Sequence, residues 1–272
     1  MSDKTVGVIG LGLLGSALAA RLMEGGFDVI GFDRSAEAMA RFPGRTGAEA
    51  KMAPRIVMVV YDTNDVEAVI ADSSAKLYID CTTGDPVRMA ALGERLAKQG
   101  IGYVEAPIAG GSESARRGEA TMLVGGDASG CEDLLAAMAK KRVHVGKVGM
   151  AAKAKLATNL VLGLSRAALA EGMAFAESQG IPRKQFLEVI GETPAAAPSA
   201  LRKGARMVAE DWTPESRIRQ HLKDVHHMQE LSPLALPLTA AHEKLLSDAV
   251  ADGDGEEARP AMESGIGEGT DE

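Results

Sequence analysis

The sequence predicts an α/β protein in which a mainly parallel sheet flanked by helices is followed by an all-helical part. Two observations support this prediction. Up to about residue 145, short apolar runs rich in β-forming residues alternate with helix-length segments, which is typical of a parallel sheet with helical crossovers. Beyond Gly149, no strand pattern is found up to residue 250, and the helix-length segments are interrupted by prolines.

Seven strands are predicted in the first part of the chain. Several are nearly continuous apolar runs, such as residues 56–60, which is typical of strands covered on both faces. In chain order, the predicted strands are residues 5–9, 28–32, 55–61, 76–80, 102–105, 120–124 and 142–145.

The second part is predicted to begin at residue 150. A residue that precedes a proline avoids the helical conformation, so Pro182, Pro194, Pro214 and Pro233 mark helix boundaries. We therefore expect a first domain at residues 1–149 and a helical domain at residues 150–264. A short helix is expected near residues 256–263, and an acidic, flexible tail at residues 265–272.

Composition and charge disfavour several functional classes. The chain has 272 residues and a net charge of −8, with 46% hydrophobic residues, so it has no basic surplus for nucleic acid or an acidic membrane. Residues 251–272 hold eight acidic residues and one basic residue, which leaves the rest of the chain nearly neutral. The longest uncharged apolar stretch on a helical pattern, residues 156–165, is too short to span a bilayer. The N-terminus lacks the pattern of a secretory signal, and we expect a cytoplasmic protein.

No metal site is predicted. The two cysteines have no second pair of Cys or His at metal-binding spacing, so we expect reduced thiols. His221, His226 and His227 fall on one predicted helix, where only His226 has a carboxylate, Glu230, four positions later. We interpret these histidines as surface or interface residues.

A glycine-rich turn after the first predicted strand indicates a dinucleotide site. It has the spacing G-x-G-x-x-G and precedes a predicted helix at residues 16–23. The first glycine makes a tight turn, the second lets a pyrophosphate approach the backbone, and the third lets strand and helix pack closely. The first domain is therefore predicted to be a Rossmann-type cofactor-binding domain with its diphosphate at the helix N-terminus. The cofactor-binding residues of this turn are Gly10, Leu11, Gly12, Leu13, Leu14 and Gly15.

The choice between NAD and NADP depends on two residues after the second predicted strand. Asp33 lies 18 residues past Gly15, near the spacing at which a carboxylate holds the adenosine ribose and repels a 2′-phosphate. Arg34 follows it, and a guanidinium can pair with such a phosphate. The sequence favours NAD and leaves NADP open.

Four motifs in order along the chain carry a family resemblance. They are GLGLLG at residues 10–15, EAPIAGG from residue 105, GMAAKAKLATN at residues 149–159 and KD at residues 223–224. Together they resemble the β-hydroxyacid dehydrogenase family, which includes 3-hydroxyisobutyrate dehydrogenase and tartronate semialdehyde reductase. The architecture of that family, a Rossmann-type domain joined by a long helix to an all-α domain, agrees with the division near residue 149.

The resemblance implies an oxidoreductase that transfers a hydride between a nicotinamide cofactor and a small 3-hydroxy acid or its semialdehyde. Lys155 would be the general acid/base and Asn159 would orient it or the substrate hydroxyl, and four positions apart on a helix the two share a face. To act as a base near neutral pH, Lys155 would need a pKa lowered by burial or nearby positive charge. The substrate and its carboxylate would meet Ala109, Gly110, Gly111 and Lys223, and the cofactor would meet Val60, Tyr61, Asp65, Thr83 and Lys223.

Three departures from the family pattern affect the expected substrate. Ala109 stands where the family usually has Ser, Ala151 replaces a Gly of the third motif, and Thr158 replaces an Asn. Because Lys155 and Asn159 are retained, we expect the reaction type to be kept and the substrate to differ from those of the best-known members.

Three alternatives stay open at this point. An imine reductase of related fold usually lacks the lysine that this chain has at position 155. A decarboxylating enzyme of the 6-phosphogluconate type carries His where this chain has Thr158. A non-catalytic nucleotide-binding scaffold would have no use for Lys155, Asn159 and Lys223. Family members commonly associate through their helical domains, so we also expect a homodimer or homotetramer.

Overall fold

A computed structural model of the chain describes residues 4–256. These residues form nine strands and eleven α-helices, together with 3₁₀ turns at Ala48–Met52 and Asp254–Glu256. The chain divides into two compact units, Met1–Lys155 and Leu156–Glu272, and the division falls inside helix α7 (Met150–Ser178). The boundary expected from the sequence, after residue 149, lies instead at the start of α7.

The first unit contains a single nine-stranded sheet within the described residues. Its strands are β1 (Thr5–Ile9), β2 (Asp28–Phe32), β3 (Arg45–Thr46), β4 (Arg55–Met58), β5 (Leu77–Asp80), β6 (Gly102–Glu105), β7 (Ile108–Ala109), β8 (Thr121–Gly125) and β9 (Lys141–Gly146). The order is β3-β2-β1-β4-β5-β6-β8-β7, with β9 paired to β8. Strands β1 to β6 run parallel, whereas β8 is antiparallel to β6 and β7.

Local capping explains where several helices of this unit begin. The side chain of Ser35 caps α2, Asp62 caps α3 and Asp85 caps α4, each by accepting a backbone N–H of the first turn. Pro86 occupies the first position of α4, where a missing N–H has no cost. The helices are α1 (Leu13–Glu24), α2 (Ala36–Arg41), α3 (Thr63–Ala71), α4 (Pro86–Ala97), α5 (Ser112–Arg116) and α6 (Glu132–Met138).

Apolar side chains cover both faces of the sheet. In β4, Val57 belongs to one hydrophobic cluster, whereas its neighbours Ile56 and Met58 belong to another. Because side chains alternate along a strand, the two clusters lie on opposite faces. The continuous apolar run in this segment therefore reflects burial on both sides, as the sequence predicted.

The structure confirms the predicted fold class and corrects some strand bounds. The bounds predicted for β1, β2 and β6 are confirmed, but the predicted strand at 55–61 is wrong beyond Met58. The N–H of Val59 still donates to the carbonyl of Ile9 (2.8 Å), but the N–H of Val60 donates to the side-chain hydroxyl of Thr82 (3.2 Å) and not to a backbone carbonyl of β5. Strands β3 and β7 were not predicted, since two residues each are too short for an alternating pattern.

The described part of the second unit consists of helices and the loops that join them. It contains most of α7 followed by α8 (Arg183–Gly191), α9 (Pro198–Val208), α10 (Ile218–Leu231) and α11 (Pro237–Ala251). Pro182, Pro194, Pro214 and Pro233 all lie between these helices, as predicted. Two hydrophobic clusters hold the unit together, one around Val225 on α10 and one around Met173 on α7.

Some sequence-based expectations fall outside the described residues. The tail at 265–272 lies wholly beyond residue 256, and so does nearly all of the short helix expected near 256–263. Of the helices in the described part of the chain, none is long and apolar enough to cross a membrane.

Candidate functional site

The predicted cofactor residues of the first unit follow neighbouring parallel strands at the same edge of the sheet. The glycine turn follows β1, Asp33 follows β2, Val60 follows β4 and Thr83 follows β5. The strand order reverses at β1, which has β2 on one side and β4 on the other. In open parallel sheets, ligands bind at the carboxyl ends of strands beside such a reversal.

The glycine turn has the shape that a bound diphosphate needs. Gly10 has φ +95°, and its N–H donates to the carbonyl of Phe32 (2.8 Å). A Cβ on Gly15 would lie 1.9 Å from the carbonyl oxygen of Gly10, so only glycine lets α1 approach the turn. A Cβ on Gly12 would have no described atom within 4 Å, and Gly12 is the N-cap of α1. Open space at the N-terminus of a helix therefore fits a dinucleotide diphosphate.

Asp33 organises the turn from the neighbouring strand. Its Oδ2 accepts the backbone N–H of Leu11 (2.7 Å) and its Oδ1 accepts that of Ser35 (2.8 Å). A carboxylate has about four acceptor positions, so both oxygens retain capacity for ribose hydroxyls. Asp33 thus both shapes the cofactor turn and carries the charge that disfavours a 2′-phosphate.

Arg34 and Asp65, both predicted cofactor residues, form an ion pair. The guanidinium Nη2 of Arg34 lies 2.9 Å from Oδ1 of Asp65 in the first turn of α3, and the Arg34 side chain is 80% exposed. The sequence did not predict that the two residues pair. The charge of the exposed arginine is thus opposed by a nearby carboxylate.

A hydrogen-bond network joins the loops after β4 and β5. Oδ1 of Asp80 accepts the N–H of Thr82 (2.8 Å), and the Tyr103 hydroxyl donates to Oδ2 (2.5 Å). Burial, followed by the negative charge of Asp80, raises the pKa of Tyr103 well above its usual range. The Thr82 hydroxyl is buried and accepts the N–H of Val60, whereas the predicted Thr83 is half-buried beside it. Thr82 therefore fixes the loop from which Val60 and Thr83 could meet a cofactor.

The predicted carboxylate pocket forms a tight turn between β7 and α5. Gly110 is exposed with φ +151°, and a Cβ there would lie 2.7 Å from Oγ of Ser114. Gly111 is the N-cap of α5, and its carbonyl accepts the N–H of Ala115. Ala109, at the end of β7, is half-buried and offers no hydroxyl.

Glu105 is a buried acid whose role the sequence did not predict. Its side chain is 1% exposed, and Oε2 accepts the backbone N–H groups of Gly149 (2.6 Å) and Ala151 (3.2 Å) at the start of α7. Burial raises the pKa of Glu105 to about 7, the bond from Gly149 opposes this rise, and the charge of Asp80 adds to it. A signal was present in the sequence, because an acidic residue ends a buried apolar strand.

Lys155 is the last residue of the first unit and lies on α7. It is 8% exposed, whereas Lys153, two positions earlier on the same helix, is exposed. Lysine side chains are mostly exposed and are almost never fully buried unless they are paired. The structure thus distinguishes Lys155 from an ordinary solvated helix lysine.

In the second unit, Asn159 is held by an acid of the fourth motif. Its Nδ2 donates to Oδ2 of Asp224 (2.9 Å), and the ammonium of Lys223 lies 3.4 Å from Oδ1 of the same carboxylate. Asn159 is 9% exposed and Asp224 3%. A carboxylate only accepts, so Asp224 sets which end of the amide is donor and which is acceptor. The sequence named Asp224 as part of a motif but did not predict this positioning role.

The histidines make pairs that the sequence did not predict. Glu230 lies against His227 (3.6 Å), not His226, which instead faces Glu243 on α11 (3.4 Å). His221 meets His242 with 3.1 Å between their Nε2 atoms. Within residues 4–256, no three His, Cys, Asp or Glu side chains converge on a possible metal position.

Two family models match the chain and together cover most of its length. Residues 5–146 match the model described as the NAD binding domain of 6-phosphogluconate dehydrogenase. Residues 149–263 match the model described as NAD-binding of NADP-dependent 3-hydroxyisobutyrate dehydrogenase. Among curated proteins, the L-threonate dehydrogenase of Cupriavidus necator is 31% identical, with 96% of this chain and 95% of that protein aligned.

Solved structures show the same fold. The 3-hydroxyisobutyrate dehydrogenase of Salmonella typhimurium superposes with a TM-score of 0.85 at 23% identity, covering 94% of this chain and 98% of that one. An imine reductase variant from Myxococcus stipitatus in complex with NAD⁺ gives a TM-score of 0.62 at 19% identity, covering 97% and 99%. At such identities these likenesses concern the fold alone.

Two glycine substitutions should separate folding from cofactor binding. Gly15→Ala places a methyl group 1.9 Å from a backbone oxygen, so we expect the free energy of unfolding to fall by more than about 2 kcal/mol. Gly12→Ala meets open space and should cost less than about 1 kcal/mol, yet weaken NAD or NADP binding at least about tenfold. Urea unfolding and fluorescence titration measure the two effects, and unchanged binding in Gly12→Ala would contradict the assigned diphosphate position.

Glu105 should make stability fall as pH rises. Its pKa is raised from 4.5 to about 7 on folding, so its contribution is complete below about pH 4.5 and lost as pH rises through 7. Between pH 5 and 8, the unfolding free energy of the native protein should fall by about 2 to 3 kcal/mol more than that of Glu105→Gln. Urea unfolding at both pH values checks this, and parallel pH dependences of the two proteins would refute it.

Proposed function

Since this chain belongs to the β-hydroxyacid dehydrogenase family and is an NAD(P)-dependent oxidoreductase, we propose that it interconverts a small hydroxy acid and its carbonyl form with Lys155 as general acid/base. The observation that carries the assignment is the burial of Lys155 on α7. The cofactor supplies the hydride acceptor in oxidation and the hydride donor in reduction.

Lys155 handles the proton that accompanies hydride transfer. In reduction, its ammonium donates a hydrogen bond to the substrate carbonyl, stabilises the developing alkoxide and gives up its proton to that oxygen. In oxidation, the neutral amine takes the proton from the substrate hydroxyl. Asn159, with its amide orientation set by Asp224, would present its oxygen as the acceptor that aligns the ammonium or the hydroxyl.

The proposed substrate carries a carboxylate. Support comes from the backbone amides around Gly110 and Gly111 and from the hydroxy acid in the name of the Cupriavidus necator relative. Ala109 lacks a hydroxyl at the turn, which favours a substrate that makes its other polar contacts elsewhere. We propose 3-hydroxy acids and their semialdehydes as the class, with L-threonate as the polyhydroxylated member to examine first.

NAD is the proposed preference over NADP. The carboxylate of Asp33 would repel a 2′-phosphate, and Arg34, which could attract one, is paired with Asp65. We also propose a cytoplasmic location and a homodimer or homotetramer, as expected from the sequence.

Lys155→Ala tests the proposed catalytic role. We expect kcat to fall by about 10²- to 10⁴-fold, which is the usual contribution of a general acid or base, while the Kd for NAD changes little. Absorbance of the reduced nicotinamide is followed with L-threonate, 3-hydroxyisobutyrate, small semialdehydes and cyclic imines. The matched control is Lys153→Ala on the exposed side of α7, which should keep the native kcat.

Three outcomes would overturn the proposal. They are turnover of imines without any acid or aldehyde activity, cofactor binding without turnover of any substrate, and a Lys155→Ala variant as active as Lys153→Ala. The first would favour an imine reductase and the second a nucleotide-binding scaffold.

Asp65→Asn should shift cofactor preference toward NADP. The substitution removes the carboxylate that holds Arg34 at 2.9 Å, so the guanidinium becomes available to a 2′-phosphate. We expect the NADP:NAD ratio of kcat/KM to rise about threefold to fivefold, because an exposed ion pair is worth at most about 1 kcal/mol and each 1.4 kcal/mol is a factor of ten. Glu67→Gln is the control, because Glu67 lies on the same helix but pairs with Arg88. Equal ratios in the two variants would show that Arg34 does not meet the cofactor.

A further inference from the structure

Helix α7 begins without a capping residue of its own. The first amides of an α-helix have no partners inside the helix and are usually satisfied by Ser, Thr, Asp or Asn just before it. The residues before α7 are Lys147, Val148 and Gly149, and no acidic residue occurs in its first turn. The helix that carries Lys155 therefore needs an acceptor from elsewhere in the chain.

Glu105 at the end of β6 supplies that acceptor. A single oxygen, Oε2, takes the N–H groups of Gly149 and Ala151, 44 and 46 residues away in sequence. The other oxygen, Oε1, is buried and has no hydrogen-bond partner among the described residues. The hydrogen bonds of this side chain are thus directed only at the start of α7.

Two glycines, Gly125 and Gly149, allow the close contact between the Glu105 carboxylate and the start of α7. A Cβ on Gly125, in the adjacent strand β8, would lie 2.7 Å from Oε2, so a larger residue there would displace the carboxylate. A Cβ on Gly149 would lie 2.8 Å from the carbonyl oxygen of Pro86, and Gly149 has φ +93°. The turn into α7 is consequently held from both sides, with the carboxylate at its centre.

We propose that Glu105 is a positioning residue for Lys155, acting as a remote N-cap that fixes where α7 begins and how it is rotated. This inference rests on the proposed role of Lys155 in proton transfer. Ala151 and Lys155 are four positions apart and so lie one above the other on the same helix. Each residue of an α-helix adds 1.5 Å and about 100° of rotation, so a shift at the first turn moves the lysine directly.

The expected effect on catalysis follows from geometry. A misplacement of about 1 Å between reacting groups can reduce a rate about 10²-fold. Losing the cap should therefore lower kcat and leave KM nearly unchanged, because the lysine acts on the reacting oxygen and does not hold the rest of the substrate. Glu105 itself does not touch the reacting atoms, since it is 1% exposed and already bonded to backbone amides.

Two substitutions distinguish capping from simple core packing. Glu105→Gln keeps a side-chain oxygen for the two amides and places its NH₂ where Oε1 makes no hydrogen bond. Glu105→Met has similar length but lacks the oxygen. Leu134→Ala is the control for general destabilisation, because Leu134 is fully buried in α6 and belongs to the core of the same unit.

The experiment combines steady-state kinetics with hydrogen exchange at a temperature where every variant is folded. For Glu105→Met we expect kcat to fall at least about tenfold with KM changed less than about threefold. The α7 amides at residues 149–153 should exchange at least about tenfold faster, as expected when buried amides lose their hydrogen-bond acceptor. Glu105→Gln should keep kcat and the exchange rates of these amides within about threefold of the native values, and Leu134→Ala should change neither quantity.

Two results would overturn the proposal. One is unchanged amide protection of α7 in Glu105→Met. The other is a loss of kcat that Glu105→Gln does not restore, because the charge and not the acceptor would then be required. Hydrogen exchange does not depend on knowing the substrate, so failure of the cap is distinguishable from failure of the proposed reaction, which Lys155→Ala tests in the native background.

Discussion

Acidic side chains at the carboxyl edge of the sheet hold the loops on which the candidate site depends. Asp33 follows β2, Asp80 ends β5 and Glu105 ends β6, and each accepts at least one backbone N–H that lies outside the sheet. Such amides have no hydrogen-bond partner within the sheet, and burying them unpaired would cost free energy. The glycine turn, the Thr82 turn and the start of α7 take their positions from these three carboxylates.

This arrangement places negative charge in the protein interior. Asp80 and Glu105 are register partners on adjacent parallel strands, so their side chains share a face of the sheet. Burial is the largest cause of the raised pKa of Glu105, and the charge of Asp80 adds to it. Asp80 receives the Tyr103 hydroxyl as well as a backbone amide, which offsets part of the cost of its burial. Ionisation of Glu105 at high pH thus lowers the stability of the fold, whereas the carboxylates hold the loops in a fixed geometry. Precise placement of reacting groups requires such a fixed geometry.

In the second unit, a carboxylate fixes a side chain in the way that the carboxylates of the first unit fix backbone amides. Asp224 accepts the amide of Asn159 across 65 residues of sequence, and Lys223 lies beside the same carboxylate. A buried amide without such a partner could turn over and exchange its donor and acceptor ends. The net charge of −8 has little to do with these sites, because residues 251–272 contain eight acidic residues and one basic residue. Local pairs of charges, not the overall balance, set the electrostatics around each functional group.

Local patterns were sufficient for the fold class and for the glycine turn before α1, whereas most other candidate residues came from the family resemblance. Alternating apolar runs predicted β1, β2 and β6 with correct bounds, the glycine spacing predicted the turn before α1, and prolines predicted the breaks between helices. These features are readable because strands, turns and helix ends impose residue preferences over a few neighbouring positions. Only the tertiary structure decided that Glu105 caps α7, that Asp33 holds Leu11, that Arg34 meets Asp65 and that Asp224 orients Asn159. In each case the partners are more than twenty residues apart, and no periodic pattern links them, since their meeting depends on how strands and helices are packed side by side.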